Sequence, residues 1–519
     1  MNILLIRPPA KHSQGTARPS ASLPLGLLYI AAVLEKNGYT VRIYDAQINV
    51  SAPTYRDVYS GVYMGDRWEV IEEQIRTSRP ALVGISCLFT AQMENAVKTA
   101  EIVKKINKDI AVVMGGNHAS VRPEDFFLKT KAVDMVCVGE GEYTMLDIAG
   151  SLRDKRAYKE IPGIAFLEGE RIKINPPRPY IRDLDTLPLP SYHLINMEDY
   201  FQLYQQGFSG RPVLTYNGSE RAVSLITSRG CPFNCIFCSI HLHMGRQWRY
   251  HSAEYVLGHL EFLASRYNLR HVHFEDDNLT LDIDRFKAIL DGLCSGKIRV
   301  SWDTPNGIRA DTMTKEVLSD CKKSGCVYLI FGIESGNQKV LDDIIGKRLD
   351  LATAVKAAAW CRQVALDTMA FFVIGFPGET RQAMRATVDF ALWLQRRYDC
   401  LPSLFVATPL PGTRLEQLCV EKGILEKELS PSDLSRMTQG ALLINGDTFL
   451  SADIKVLLTR FYKNYKINFI YNVVLFFMRQ PLAFVRIAGK ILAQGVDKIN
   501  KEAIFNILQF KNCLLRQFP

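Results

Sequence analysis

The strongest constraint on this chain is the run Thr227 to Ile240, which sets Cys231, Cys235 and Cys238 in Cys-x-x-x-Cys-x-x-Cys order just after the apolar residues Val223-Ser224-Leu225-Ile226. Three thiolates on a loop leaving a strand can close around one side of a soft metal centre. No fourth protein ligand accompanies them. Zinc normally completes its tetrahedron with a second Cys-x-x-Cys pair or with histidines, whereas a [4Fe–4S] cube held by three cysteines leaves one iron open. The competing readings are buried structural cysteines or a partial zinc site.

At 519 residues the chain should form two large units and an appendage. A composition 47% hydrophobic and 23% charged excludes a wholly disordered chain and a multi-span membrane protein. The remaining cysteines are scattered singly, with no pairing rhythm, which points to a reducing cytoplasm. The apolar start, Asn2 to Arg7, is too short for a signal peptide and reads as a buried strand. From Lys455 to Pro519 eleven Lys or Arg face two acids, so the tail holds the whole +9 excess of the chain.

Residues 1–145 alternate short apolar runs (2–7, 41–44, 81–86, 111–115, 134–138) with helical patterns near 25–37, 66–77, 91–107 and 141–153. This rhythm predicts a doubly wound α/β domain around a parallel sheet, with its ligand beyond the carboxyl ends of the strands. The loops there are Arg7-Pro8-Pro9, Gly84-Ile85-Ser86, Gly115-Gly116-Asn117-His118 and Gly139-Glu140-Gly141-Glu142. Residues 146–215, dense in proline, read as an extended connector without catalytic residues. From 216 to 420 the alternation resumes, with strands near 270–274, 299–303, 327–331, 369–375 and 402–407, and predicts a partial (β/α)6 barrel with its chemistry at the strand ends. Residues 421–519 read as a basic helical extension. Its apolar stretch Ile467–Met478 is shorter than the ~20 residues a span requires. It suits a cap on the barrel, an anionic membrane surface or a lid over a greasy substrate.

With these residues in view, the chain resembles the radical S-adenosylmethionine (SAM) enzymes. The resemblance rests on the cysteine loop with Phe237 before the third cysteine. It continues through Phe274-Glu275-Asp276-Asp277-Asn278, Asn306-Gly307-Ile308-Arg309-Ala310-Asp311, Phe331-Gly332-Ile333-Glu334-Ser335-Gly336, Val373 to Thr380 and Thr408 to Thr413, in order and at barrel-unit spacing. It implies a [4Fe–4S] cluster on Cys231, Cys235 and Cys238. It further implies SAM contacts from Phe237, Asp276 and Asp277 (methionyl ammonium), Arg309 (carboxylate), Glu334 and Ser335 (ribose) and Gly378 (adenine turn). On the residues alone, either acid of the 276–277 pair could instead cap a helix, and Glu379-Thr380 could simply start one.

The N-terminal domain resembles the cobalamin-binding domain that precedes the radical domain in one branch of that family, MGGNHAS and VGEGE matching best. Cobalamin contacts are implied for Pro8, Ser86, Gly115, Gly116, Asn117, Gly139 and Glu140. One departure stands out. The Asp-x-His-x-x-Gly element of other cobalamin domains corresponds to Ala10-Lys11-His12-Ser13-Gln14-Gly15, with alanine where the orienting aspartate belongs. Cobalamin without a protein ligand on cobalt is therefore expected, and His118 is expected as a loop residue.

The resemblance implies a cobalamin-dependent methyltransferase acting on an unreactive carbon. A deoxyadenosyl radical would take a substrate hydrogen, methylcobalamin would give the methyl group, and a second SAM would replace it. No side chain must shuttle a proton. Two alternatives stay open: a tetrapyrrole-type ring cyclase with the same cofactors, and a non-catalytic cobalamin or redox sensor. A methylthio transferase would need a second cysteine triplet, which is missing before Cys231. The expected partners are a small molecule (lipid, isoprenoid or tetrapyrrole), a flavodoxin or ferredoxin as electron donor, and an anionic membrane face. Nucleic acid is not expected, because the aromatics form no stacking platform.

Overall fold

The computed structural model describes residues 1–12, 20–57, 61–208, 221–425, 444–446 and 448–479. The chain divides into two compact units, one including Met1–Gly210 and Ser239–His251, the other including Arg211–Cys238 and Ser252–Lys427 with the C-terminal helix.

In the first unit β1 (Asn2–Arg7), β2 (Thr40–Asp45), β3 (Leu82–Ser86), β4 (Ala111–Gly115) and β5 (Met135–Cys137) lie parallel in the order β2-β1-β3-β4-β5. The inner strands β1, β3, β4 and β5 are largely apolar because both faces are covered, whereas the edge strand β2 carries Thr40, Arg42 and Asp45. Ile3 and Leu5 pack with α1 (Leu25–Lys36) and α4 (Gly141–Arg153). Leu4 and Ile6 pack on the other face with α2 (Trp68–Ser78) and α3 (Met93–Ile106). The doubly wound fold is the one expected.

The stretch after residue 145 does more than connect. Ile164–Glu168 (β6) and Arg171–Ile174 (β7) form a hairpin whose first strand pairs antiparallel with β5, lengthening the sheet to seven strands. Gly169, at φ 64°, makes the two-residue turn. Farther on, Ser191 and His193 bond Glu35 of α1, and the Tyr200 hydroxyl donates to Asp45 at 2.6 Å. Its last part, residues 209–215, lies outside the described residues.

The second unit has six parallel strands in two trios: β8 (Ala222–Leu225), β9 (His271–Phe274) and β10 (Ser301–Asp303), then β11 (Tyr328–Glu334), β12 (Asp367–Ile374) and β13 (Cys400–Val406). The bridges Trp302–Cys326 and Ile308–Phe331 join the trios into one wall. The intervening helices are α5 (Ala253–Tyr267), α6 (Ile283–Cys294), α7 (Lys315–Lys323), α8 (Leu351–Gln363) and α9 (Arg381–Tyr398). They begin at Ser252, Asp282, Thr314, Asp350 and Thr380, whose side chains each accept a backbone N–H of the first turn. Each such cap is worth about 1 kcal/mol and fixes where a strand-end loop stops. This is the expected partial barrel.

The C-terminal helix α10 (Ser451–Arg479) packs on α9, burying Ile454, Leu457 and Phe461. Asn468 and Asn472 donate to the carbonyls of Leu392 and Gln395 at 3.0 and 2.6 Å. Among the described residues no helix is long and apolar enough to cross a membrane. The tail after Arg479, with Pro481–Arg486, lies outside the described residues.

Candidate functional site

The cysteine loop leaves β8 and is tied on three sides. Thr227 N, Thr227 Oγ1 and Ser228 Oγ donate to Asp276 Oδ1 at 3.1, 2.7 and 2.6 Å, and Gly230 N donates to Asp277 Oδ2 at 2.9 Å. Ile236 N donates to Ile345 O, and Leu415 N to Ile236 O, at 3.0 and 2.9 Å. The backbone is thus fixed before any ligand is bound. Cys231, Cys235 and Cys238 are half-buried, whereas seven of the other free cysteines in the described residues are fully buried. Burial pushes the Cys231 and Cys235 thiols up, while Lys347 draws Cys235 back down. A bound metal would deprotonate both outright. Three reachable soft donors on a pinned loop fit a cluster with one open iron.

The acids expected at the methionyl ammonium are placed differently from one another. Asp276 is 2% exposed and turned into the loop base, where burial pushes its carboxyl up; among the described residues its Oδ2 has no hydrogen-bond partner. It shapes the loop because Thr227 and Ser228, two residues of the strand exit, need an acceptor there. Asp277 holds the Gly230 amide. Arg309 is likewise engaged: its guanidinium grips Asp311 at 2.9 and 2.6 Å, donates to Lys347 O at 3.3 Å and covers the Phe233 ring at 3.9 Å.

Glu334 ends β11 in the left-handed region, φ 73°, where the register with β12 shifts. Its Oε1 accepts from Lys347 Nζ at 2.8 Å, with both side chains 10% exposed. A Cβ on Gly332 would lie 2.9 Å from both charged atoms, so glycine there makes room for the pair. Lys347 went unnoticed in the sequence because it lies beyond the strand-end segment; the only cue was a lysine directly after Gly346. Ser335, expected at the ribose, is fully buried and bonds Thr387 and the Asn337 amide instead. The strained residue before it swings that hydroxyl toward α9.

In the turn after β12, Gly375 and Gly378 have φ 92° and 85°, and the space beside Gly378 is open. Phe237 packs at 5.9 Å from Phe376 of this turn. Glu379 is fully buried; its Oε2 accepts the Gly375 and Phe376 amides at 2.8 and 3.1 Å, and its Oε1 has no partner among the described residues. Burial pushes its carboxyl up to about 7, against those two amides. The Glu-Thr pair thus does two jobs: Glu379 ties the turn and Thr380 caps α9.

One further cluster escaped the sequence reading. On the inner face of the wall, Asp303 takes His273 Nδ1 at 2.7 Å and lies 3.2 Å from His271 Nε2, while His271 Nδ1 meets Ser301 Oγ at 2.7 Å. Burial pushes Asp303 up, but the two histidines outweigh it and hold the carboxyl low.

In the first unit the strand-end loops converge as the topology requires. Ser86 closes β3. Pro8 O accepts from Gln47 Nε2 at 2.9 Å. Gly116, at φ 109°, passes the Cys87 backbone so closely that a Cβ would lie 2.7 Å from its carbonyl oxygen. Asn117 follows, and Gly115 and Gly139 keep nearly clear space where a Cβ would point. These open glycine edges at adjoining strand ends suit a broad flat ring system such as a corrin. Glu140, expected among the cofactor contacts, carries structure: Arg249 donates to Oε1 at 2.6 Å and the Ile181 amide to Oε2 at 2.7 Å. His118 is buried against Thr90 and Phe126 and pushed down to about 4 by burial and Arg122. The His12 side chain lies outside the described residues.

Comparison with known proteins adds to this geometry. Residues 16–149 match the B12 binding domain family and residues 225–391 the Radical SAM superfamily. The chain is similar to an uncharacterised methyltransferase of Pyrococcus horikoshii, 33% identical over 82% of this chain and 84% of the relative. It is also similar to the cytidylyl-2-hydroxyethylphosphonate methyltransferase of Streptomyces wedmorensis, 30% identical over 82% and 83%. Its fold is like that of the radical SAM methyltransferase TsrM from Kitasatospora setae, solved with cobalamin and a [4Fe-4S] cluster, with TM-score 0.62 and 19% identity over 81% and 78% of the chains.

Proposed function

We propose that this chain, which belongs to the cobalamin-binding radical SAM enzymes, is a methyltransferase that acts on an unactivated carbon. The observation that carries the proposal is the pairing, on one chain, of a corrin-type sheet edge with a pinned loop of three reachable thiols, in a sequence whose relatives include two proteins named as methyltransferases at 30% identity or more.

When bound, the cluster with SAM supplies a hydrogen-abstracting radical and cobalamin supplies the methyl group. Cys231, Cys235 and Cys238 hold the cluster by three corners. Phe237 and the Gly375–Gly378 turn form the flat slot for adenine. Glu334 takes the ribose hydroxyls, and Lys347, beside Cys235, meets the methionyl carboxylate together with Arg309. Asp277 faces the methionyl ammonium, while Asp276 and Ser335 keep the surrounding loops in place. Pro8, Ser86, Gly115, Gly116, Asn117 and Gly139 line the corrin, and Glu140 braces that edge through Arg249.

A flavodoxin or ferredoxin would reduce the cluster in the cytoplasm. Peripheral membrane contact is supported by α10, whose Ile467, Ile470, Tyr471, Val474 and Met478 are exposed at helical spacing beside Lys463 and Lys466.

The test is product analysis after anaerobic reconstitution, with reductant, SAM and an extract as substrate source. Methyl transfer yields both 5′-deoxyadenosine and S-adenosylhomocysteine. Deoxyadenosine alone would defeat the proposal and favour cyclisation.

A further inference from the structure

We infer that the molecule methylated is predominantly apolar, carries no anionic group, and sits inside the six-stranded wall against Met369, Phe371, Ser403 and Phe405. This rests on the methyl-transfer reading above.

Alternation along the strands decides which residues face inward. On β12, Phe372 turns out, its ring 6.2 Å from Phe390 of α9, so Met369 and Phe371 turn in. Phe371 meets Phe405 of β13 edge to face at 5.3 Å, and Ser403 is the strand neighbour of Phe371. Inward positions of a closed small barrel are filled and buried. Here these four are partly exposed, each flanked along its strand by buried residues. Exposure at every second residue, in the middle of strands, marks accessible space on the inner face. Across the wall the same holds for Ser224 and Glu275, joined by a 2.8 Å hydrogen bond, at strands whose outward residues Phe274 and Trp302 pack toward α6.

The β12 and β13 side of this space is chemically one-sided. Two phenyl rings and a thioether offer broad apolar contact. The Ser403 hydroxyl, without a hydrogen bond among the described residues, offers one polar handle in that surface. No Lys or Arg occurs in any of the six strands, whereas Asp303, Glu334 and Asp367 do. At the end of β11 the Lys347 ammonium is paired with Glu334. Against Met369, Phe371 and Phe405 a phosphate or carboxylate would lose its hydration and find no lysine or arginine on the strands to replace it, which is unfavourable. A neutral hydrocarbon with one hydroxyl, carbonyl or amide group fits.

The experiment uses the full reconstituted protein, methyl-labelled SAM and a whole-cell extract, with labelled products passed over an anion exchanger at neutral pH. Label should run through the exchanger and extract into organic solvent. Ser403→Lys should lower that neutral label about tenfold or more, while cobalamin content and SAM binding by equilibrium dialysis stay at wild-type values. Label held by the exchanger would overturn the inference yet leave methyl transfer standing. Neutral label undiminished in Ser403→Lys would also overturn it. No label in any fraction would fail the methyl-transfer reading itself, and this inference with it.

Discussion

Glu379 should make the stability of the second unit depend on pH in a direction opposite to most carboxylates. Its carboxyl is fully buried, two amides meet one oxygen and no hydrogen-bond donor of the described residues meets the other. The folded pKa is pushed up to about 7 from 4.5. A raised pKa means that the folded state holds the proton more tightly. Its stabilising effect is therefore complete below about pH 4.5 and is lost as pH rises toward about 7. At about 1.36 kcal/mol per unit, the full loss is about 3 kcal/mol, of which about 2 falls between roughly pH 5.5 and 8.5. Glu379→Gln keeps an acceptor for Gly375 and Phe376 and cannot ionise, so it should lack this slope. Urea unfolding of wild type and variant, followed by pulse proteolysis at both pH values, isolates the residue, since every other titration cancels in the difference. Wild type should lose about 2 kcal/mol relative to the variant on going to the higher pH. Parallel pH dependence of the two proteins would refute the assignment of a high-pKa, singly engaged carboxyl.

Reconstitution should load about four irons per chain, and alanine at Cys231, Cys235 or Cys238 should abolish stable loading by iron analysis; about eight irons, or zinc retained instead, would contradict the single-cluster site. His12→Ala should leave the electron paramagnetic resonance spectrum of bound cob(II)alamin unchanged; nitrogen superhyperfine splitting that vanishes in the variant would make His12 the ligand. Arg249→Met leaves the Glu140 carboxylate buried without its cation, at 2% and 4% side-chain exposure for the pair, and should cost about 3–5 kcal/mol in urea unfolding; a loss under about 1 would show the pair to be replaceable. Ending the chain before Ser451 uncovers α9 and should lower the melting temperature. Salt-sensitive sedimentation with anionic vesicles by the full chain alone, and equal, salt-independent partitioning of both forms, are the supporting and opposing results for membrane contact.

The order of strands and helices was readable from sequence because apolar runs and amphipathic helices alternate with little ambiguity, and the cysteine loop announced itself by spacing. What sequence could not supply was where each marked side chain turns. Asp276 and Asp277 are neighbours, yet one is drawn to Thr227 and Ser228 and the other to the Gly230 amide, a choice made by a loop 47 to 49 residues earlier in the chain. Ser335 follows a residue in the left-handed region, which no local pattern announces. Lys347 comes to Glu334 only after the chain has completed a further turn of helix. The hairpin Ile164–Ile174 hid beside a proline-rich stretch, since two short strands carry too few residues to stand out there. On α10 the buried Asn468 and Asn472 look like polar surface until the carbonyls of α9 are seen opposite them.

The segment Ser239–His251, which begins immediately after the third cysteine yet belongs to the first unit, affects how the protein can be made. Neither unit is a continuous piece of chain, so no single cleavage releases either one intact, and expressing residues 1–210 alone omits Arg249. During synthesis Glu140 must wait more than a hundred residues for its cation. The first unit can therefore reach its final form only after the ribosome has already produced the loop that carries the three thiols.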